Sequence, residues 1–218
     1  MNTLEFDSIS LSYGLHTILS SVHMKCITGN IVGLLGRNGS GKSSLLQSVF
    51  GTLSTENKSI RLNQERLVNN YLSKKLIGYL PQCDLIPSFL TFSEALKLYN
   101  IDFSKLESSF PELGKILNKK SAEVSGGQRR LFEVLLILYS NHRFSLFDEP
   151  FTGVMPIHIE KLIRIFTEEK SKKGIILTDH SHRYIRAICD QLYVIANGQT
   201  YRIADDSQLI KYGYLNEL

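Results

Sequence analysis

The sequence has no tryptophan, only five prolines and only three cysteines among 218 residues. Cys26, Cys83 and Cys189 are odd in number, far apart and in no C-x-x-C pair. They exclude a disulfide framework and make a reduced intracellular compartment the expectation. Long hydrophobic runs are missing as well. The longest strongly apolar run, Val134 to Tyr139, falls far short of the roughly 20 residues that span a bilayer. The opening MNTLEFDSIS is acidic by position 7 and lacks the basic start and apolar stretch of a secretory signal. The chain is therefore expected to be soluble by itself and to reach a membrane only through another protein. No internal repeat and no low-complexity linker is present.

What is present is ordinary globular composition, 43% hydrophobic and 21% charged, which argues against a disordered or fibrous chain. The length suits one large domain, or one carrying an inserted subdomain, with about 70% of the unfolded surface buried. Lys+Arg 25 against Asp+Glu 21 leaves a net charge of +4, a weak field compatible with an anionic ligand or a membrane surface. The basic clusters Lys74-Lys75, Lys119-Lys120 and Lys170 to Lys173 read as solvated helix faces. They lack the interleaved aromatics of a single-strand binding platform, so no nucleic-acid partner is expected.

The first third reads as β-rich. Leu4, Phe6, Ile9 and Leu11 alternate imperfectly up to Ser12-Tyr13-Gly14, and apolar runs Val22 to Ile27 and Ile31 to Leu35 flank the turn Thr28-Gly29-Asn30. A helix opens after Ser43 and stops at Gly51. Leu76 to Leu80 is a predicted strand closed by Pro81, and from about Cys83 to Val124 the pattern turns helical and polar. The β/α alternation then resumes with a helix from about Gln128 to Tyr139, a strand Phe144 to Phe147, a helix around Ile157 to Lys170 and a strand Ile175 to Thr178. A hairpin of Tyr193 to Ala196 and Thr200 to Ile203 closes the pattern through Asn197-Gly198.

Gly36-Arg37-Asn38-Gly39-Ser40-Gly41-Lys42-Ser43 fits G-x-x-x-x-G-K-[ST] and lies between a predicted strand and a predicted helix. Glycines let the backbone wind around a polyphosphate with its N–H groups inward, and the helix N-terminus adds partial positive charge. Lys42 can reach the β and γ phosphates, and the Ser43 hydroxyl can ligate Mg²⁺. Ser125-Gly126-Gly127-Gln128 opens the later helix by the same logic of hydroxyl, glycine N–H groups and helix start.

These two strings in this order resemble the ATP-binding cassette (ABC) family, whose signature is usually LSGGQ; here its first position is Val124. A third element follows, the apolar Phe144-Ser145-Leu146-Phe147 ending in Asp148-Glu149-Pro150, with Asp148 105 residues after Ser43. The resemblance identifies Asp148 as the Walker B aspartate and Glu149 as the catalytic base. Gln82 matches the Q-loop, His180 the switch histidine, and Tyr13, 23 residues before Gly36, the aromatic that stacks on adenine. It implies catalysis by Glu149 with His180 and Lys42. It implies ATP contacts from Tyr13, Gly36, Arg37, Asn38, Gly39, Ser40, Gly41, Lys42, Ser43, Ser44 and Gln82, and Mg²⁺ held by Ser43, Gln82 and Asp148. Ser125, Gly126, Gly127 and Gln128 would face the ATP of a second subunit.

The implied fold is an α/β P-loop NTPase core of the ABC type, residues 1–82 and 125–218. It would carry an N-terminal antiparallel β subdomain and a small α-helical subdomain inserted over 83–124. The implied partners are a transmembrane permease subunit and a second ABC subunit in a homo- or heterodimer. The implied location is cytoplasmic, peripheral on the cytoplasmic face of the cell membrane. One departure stands out: the loop after Glu149-Pro150 usually ends in aspartate, and here Phe151-Thr152-Gly153-Val154 leads to Met155, whose thioether cannot accept a charge-assisted hydrogen bond. Two function classes fit the resemblance. One is the ATP-hydrolysing subunit of a transporter; the other is a soluble ABC ATPase, such as one serving iron-sulfur cluster assembly. A guanine-reading GTPase is disfavoured, because Asn118-Lys119-Lys120-Ser121 lacks the aspartate of N-K-x-D.

Overall fold

Alternation of apolar and polar residues folds the N-terminal third into a long hairpin. In the computed structural model, which describes residues 1–67 and 75–214, β1 (Thr3–Tyr13) pairs antiparallel with β2 (His16–Ile27), setting Leu4 opposite Cys26 and Phe6 opposite Met24. The predicted run Val22 to Ile27 is only the second half of β2. Its first half, rich in Thr, Ser and His, is drawn into the sheet by pairing with β1 rather than by its own hydrophobicity. β4 (Asn57–Leu62) and β5 (Glu65–Arg66) complete an antiparallel sheet in the order β2-β1-β4-β5. β4 gives little sequence signal, because Ile60 alone of its residues is fully buried.

The second sheet is made of β3 (Ile31–Leu35), β6 (Ile77–Leu80), β7 (Phe144–Asp148), β8 (Gly174–Thr178), β9 (Gln191–Ala196) and β10 (Gln199–Ile203). Its order among the described residues is β10-β9-β3-β8-β7-β6, parallel throughout except for the β9–β10 hairpin. That hairpin turns at Asn197-Gly198, both residues having the positive φ that a two-residue turn of right-handed strands requires.

Both faces of the parallel strands are covered, which is why they read as unbroken apolar runs. Along β3, Val32 and Leu34 face α1 (Lys42–Phe50) and the antiparallel sheet. Ile31 and Leu35 face α4 (Gly126–Tyr139), α5 (Pro156–Glu169) and α6 (His182–Ile188). Each fully buried Leu, Ile or Phe in these two layers contributes about 1.5–3 kcal/mol. On the α4 side an aromatic chain runs from Phe147 to Phe166, at 4.9 Å between ring centroids, and on to Phe151 and Tyr184. It clamps the loop that follows β7.

The stretch 83–124 forms α2 (Phe92–Tyr99), α3 (Ser104–Glu107) and 3-10 turns at Pro111–Ile116 and Ser121–Glu123. α2 starts at a capping box between Thr91 and Glu94, and buries Phe92 edge-on against Phe132 of α4 with ring centroids 4.6 Å apart. α7 (Asp206–Lys211), capped by Asp205, follows the final hairpin. It and α6 are too short to show clear helical periodicity. Among the described residues no helix is long and apolar enough to cross a membrane.

One basic cluster differs from its reading as a solvated helix face. Lys173 lies beyond α5, in the turn into β8, and is only 3% exposed, its Nζ donating 2.6 Å to the Ser140 carbonyl at the end of α4. Burial pushes its pKa down to about 8. Of Lys74-Lys75, Lys74 lies outside the described residues.

His142, in the same corner, hydrogen-bonds Ser140 and packs so closely on Gly78 that a Cβ there would sit 2.6 Å from its Nδ1. Burial, and then Lys173 and Lys75, push its pKa from the ordinary 6.5 to about 4. The unfolded chain therefore takes up this proton more readily than the folded one. Its contribution is full above pH 6.5 and is lost as pH falls towards 4. His142→Gln should flatten the pH dependence of the urea midpoint between pH 4 and 6.5; an unchanged slope would clear His142 of that role.

Candidate functional site

Four neighbouring parallel strands, β3, β8, β7 and β6, release the chain at the same edge of the sheet, where ligands of open α/β sheets are received. After β3 comes the loop Gly36 to Ser43, after β8 Asp179-His180, at the end of β7 Asp148-Glu149, and after β6 Pro81-Gln82. Gly41, the residue before α1, has φ +98, and a Cβ there would meet Ile18 Cγ2 at 2.9 Å, so both conformation and space demand glycine. Lys42 is 6% exposed, and its Nζ donates to the carbonyls of Gly36 (2.7 Å) and Arg37 (3.1 Å). Burial lowers its pKa, while the charges of Glu149 and Asp148 oppose the shift. The buried Ser40 hydroxyl has no hydrogen-bond partner among the described residues.

A cavity of about 320 Å³ is lined by Asn38, Gly39, Ser40, Gly41, Lys42, Ser43 and Ser44 of the loop, Gln82, Glu149 and His180 from the other strand ends, and Tyr13 and Ile18 from the β1–β2 hairpin. Tyr13 stands at its mouth, 57% exposed.

Asp148 is wholly buried, accepting from Thr178 Oγ1 (2.8 Å) and, at 3.4 Å, from the Tyr79 hydroxyl. Glu149 adopts φ +52, costly for a residue with a side chain. Its N–H offsets that cost by donating to both the carbonyl and the hydroxyl of Thr178, each at 3.1 Å. Its carboxylate, almost buried, collects three partners: His180 Nε2 lies 2.7 Å from Oε1, while Gln82 Nε2 (3.0 Å) and Thr152 Oγ1 (3.4 Å) donate to Oε2. Asp179 steadies the neighbouring loops, accepting from the N–H groups of Ser181 (2.8 Å) and Phe151 (3.2 Å); burial raises its pKa. Sequence reading did not single out Thr178, Asp179, Tyr79 or Arg130. Only the position of Thr178 and Asp179 at a strand end next to His180 offered a signal.

Other expected residues stand apart from the cavity. Gly36 and Arg37 line an adjoining crevice with His182 and Tyr214, where Arg37 Nε donates 2.6 Å to the Gly213 carbonyl. Ser125, Gly126, Gly127 and Gln128 do not line the cavity. Ser125 caps α4 by accepting from Gln128 N (3.3 Å), and Ser125, Gly126 and Gln128 are exposed. A Cβ on Gly127 would lie 2.5 Å from the Gly153 carbonyl oxygen, so this turn is packed against the loop that follows Glu149. Met155 precedes α5 with no side-chain cap and is 55% exposed.

Comparison with known proteins gives a consistent result. A family model described as ABC transporter matches residues 19–152. The lipopolysaccharide export system ATP-binding protein LptB of Haemophilus influenzae is 30% identical, with 100% of this chain and 98% of that protein covered. The high-affinity branched-chain amino acid transport ATP-binding protein BraG of Pseudomonas aeruginosa is 30% identical over 90% of each chain. Among solved structures, an ATP-binding subunit of an ABC transporter superposes with a TM-score of 0.82 at 24% identity, covering 98% of this chain and 95% of the other.

Because the chain has no tryptophan, Tyr13→Trp would place a single indole at the mouth of the cavity. Its emission should change saturably with added ATP, and the response should vanish when Lys42→Ala is combined with it. An indole blind to ATP that does bind would remove position 13 from base contact.

Proposed function

Since the chain belongs to the ABC transporter family and is one of its ATP-binding, ATP-hydrolysing subunits, we propose the following division of labour among its residues. The adenine stacks on Tyr13. The phosphates lie along Asn38 to Ser44, received by loop N–H groups, the Ser40 hydroxyl and the Lys42 ammonium. Lys42 is already directed into this loop, and the partnerless Ser40 hydroxyl is a donor that a phosphate oxygen would satisfy.

Among the described residues no cluster of three or more His, Cys, Asp or Glu forms a metal cage. The Ser43 hydroxyl, the Asp148 carboxylate and the Gln82 amide oxygen are instead hard oxygen donors of the kind that hold Mg²⁺ together with substrate phosphates and waters. The ion, when bound, neutralises charge developing on the phosphate oxygens. Glu149 accepts a proton from the attacking water as its oxygen bonds to the γ-phosphorus, and the bond to the β-phosphate oxygen breaks to release ADP. His180 and Gln82, both now held by the Glu149 carboxylate, are the groups that the γ-phosphate would recruit, freeing that carboxylate for the water. The observation that supports this reading is the convergence of His180, Gln82 and Thr152 on one almost buried carboxylate in the cavity that Lys42 lines.

Ser125 to Gln128 open outward from α4, away from the chain's own cavity, and so suit the ATP of a second subunit docked head to tail. The residues 83–124, with α2 and α3, act as a helical arm carrying that signature turn. A groove of about 590 Å³ beside Gln82, lined by Phe50, Tyr79, Pro81, Leu85, Tyr99 and Ile137 among others, is the proposed seat of a transmembrane partner. From there a docked segment would be sensed by the Gln82–Glu149 hydrogen bond. The chain would then work on the cytoplasmic face of the membrane, where ATP is supplied.

Glu149→Gln keeps the shape and loses the base. Steady-state ATP hydrolysis should fall by about 10²-fold or more while fluorescent-ATP binding stays near wild type and ATP traps a dimer on size exclusion. Turnover close to wild type would remove Glu149 from the role of base. Affinity purification of the full chain from detergent-solubilised membranes should bring down a polytopic protein; recovery of soluble scaffold proteins alone would count against the transporter partner.

A further inference from the structure

We infer that Arg130, together with Glu133, is a positioning residue for hydrolysis, joining the helix that presents Ser125–Gln128 to the chain's own Gln82 loop and Glu149. The inference rests on the head-to-tail reading above and deepens it. Arg130 lies one turn into α4 and is only 8% exposed. A guanidinium withdrawn from water needs its donors matched, and the matches here are specific. Nη1 donates 2.7 Å to the Pro81 carbonyl, at the end of β6. Nη2 donates to the Asp148 carbonyl and, at 3.1 Å, to the Glu149 carbonyl, at the end of β7. One planar fork thus bridges the two strand ends that carry Gln82 and the carboxylates.

Glu133, three residues further along α4 and wholly buried, completes the clasp. Its Oε1 accepts from the N–H groups of Leu85 (2.8 Å) and Ile86 (2.9 Å), just beyond Gln82, and its Oε2 lies 3.8 Å from Arg130 Nη1. α4 therefore grips the Pro81-to-Ile86 segment at both ends. At its first turn, Gly127 is pressed on the Gly153 carbonyl, on the far side of Glu149. A shift or rotation of α4 must move the carbonyls that flank Glu149, whose φ of +52 is maintained only by its surroundings. When the γ-phosphate of the second subunit's ATP engages Ser125 and its neighbouring N–H groups, the pull on α4 re-aims Glu149 and Gln82. Hydrolysis in one site then depends on occupancy of the other, by a route that does not use position 155.

Lysine cannot replace this fork, because a single ammonium does not reach Pro81 and the two β7 carbonyls together. In the full chain, Arg130→Lys should lower kcat by about 10- to 100-fold, the penalty for a reacting group displaced by about an ångström. KM, fluorescent-ATP affinity and the thermal midpoint should remain close to wild type. Glu133→Gln should move kcat in the same direction by less, and the double variant should be no slower than Arg130→Lys alone, as for two members of one network. Wild-type kcat in Arg130→Lys, additive losses in the double variant, or a kcat loss that tracks loss of ATP affinity and of folded protein would each overturn the inference. The wild-type chain in the same assay separates the two levels. No hydrolysis there defeats the reading of the site, whereas hydrolysis that Arg130→Lys leaves intact defeats only the coupling.

Discussion

The parallel pairing of β7 with β8, which sets Asp148 opposite Thr178, is the contact on which the site depends. Through that one register the Thr178 hydroxyl donates a hydrogen bond to Asp148, and both Thr178 oxygens accept from the Glu149 N–H. The first contact orients a carboxylate that has no access to bulk water. The second maintains a backbone turn that a glutamate would not adopt unaided. A slip of one residue would exchange the faces of the whole strand, sending Phe147 away from Phe166 and Asp148 from Thr178 to the opposite, apolar face. The apolar layers on both faces of the sheet therefore set the chemistry of its edge.

Around that edge the protein concentrates charge in places that would otherwise be dry. Lys42, Asp148, Glu149, Asp179, Arg130 and Glu133 are all buried, and each meets backbone dipoles or neighbouring polar side chains. Such a network contributes little net stability, since desolvation cancels most of the attraction, but it is unforgiving of displacement. The Glu149 carboxylate meets His180 and Gln82, and the Glu149 carbonyl meets Arg130. Three separate chain segments thereby meet at one residue. Met155 stands outside this network: more than half exposed, it presents an apolar, uncharged side chain where the family's loop usually ends in a carboxylate.

Much of this was legible in the residues alone. The loop Gly36 to Ser43, the turn Ser125 to Gln128, Asp148-Glu149 and the Asn197-Gly198 hairpin are local patterns, and each lies between the kinds of elements expected for it. β4, α6 and α7 were not, because a strand with one fully buried residue and helices of six or seven residues carry too little periodicity to stand above background. Lys173 looked like part of a solvated basic run, and only the turn into β8 shows it buried and capping α4.

By itself the sequence determined the chemistry available: a phosphate-cradling loop, two adjacent carboxylates, a histidine, a glutamine and a serine-glycine turn at a helix start. The tertiary structure decided which of these meet. It brought Tyr13 from a hairpin to the loop's mouth and put His180 and Gln82 on opposite oxygens of Glu149. It also turned Arg37 towards Gly213 and gave Arg130 its three carbonyls. The reason is physical: loop and cap motifs are encoded by neighbouring residues through backbone conformation. The His180 and Gln82 contacts on the Glu149 carboxylate come from segments tens of residues away, and only the packing of the sheet brings them within hydrogen-bond reach.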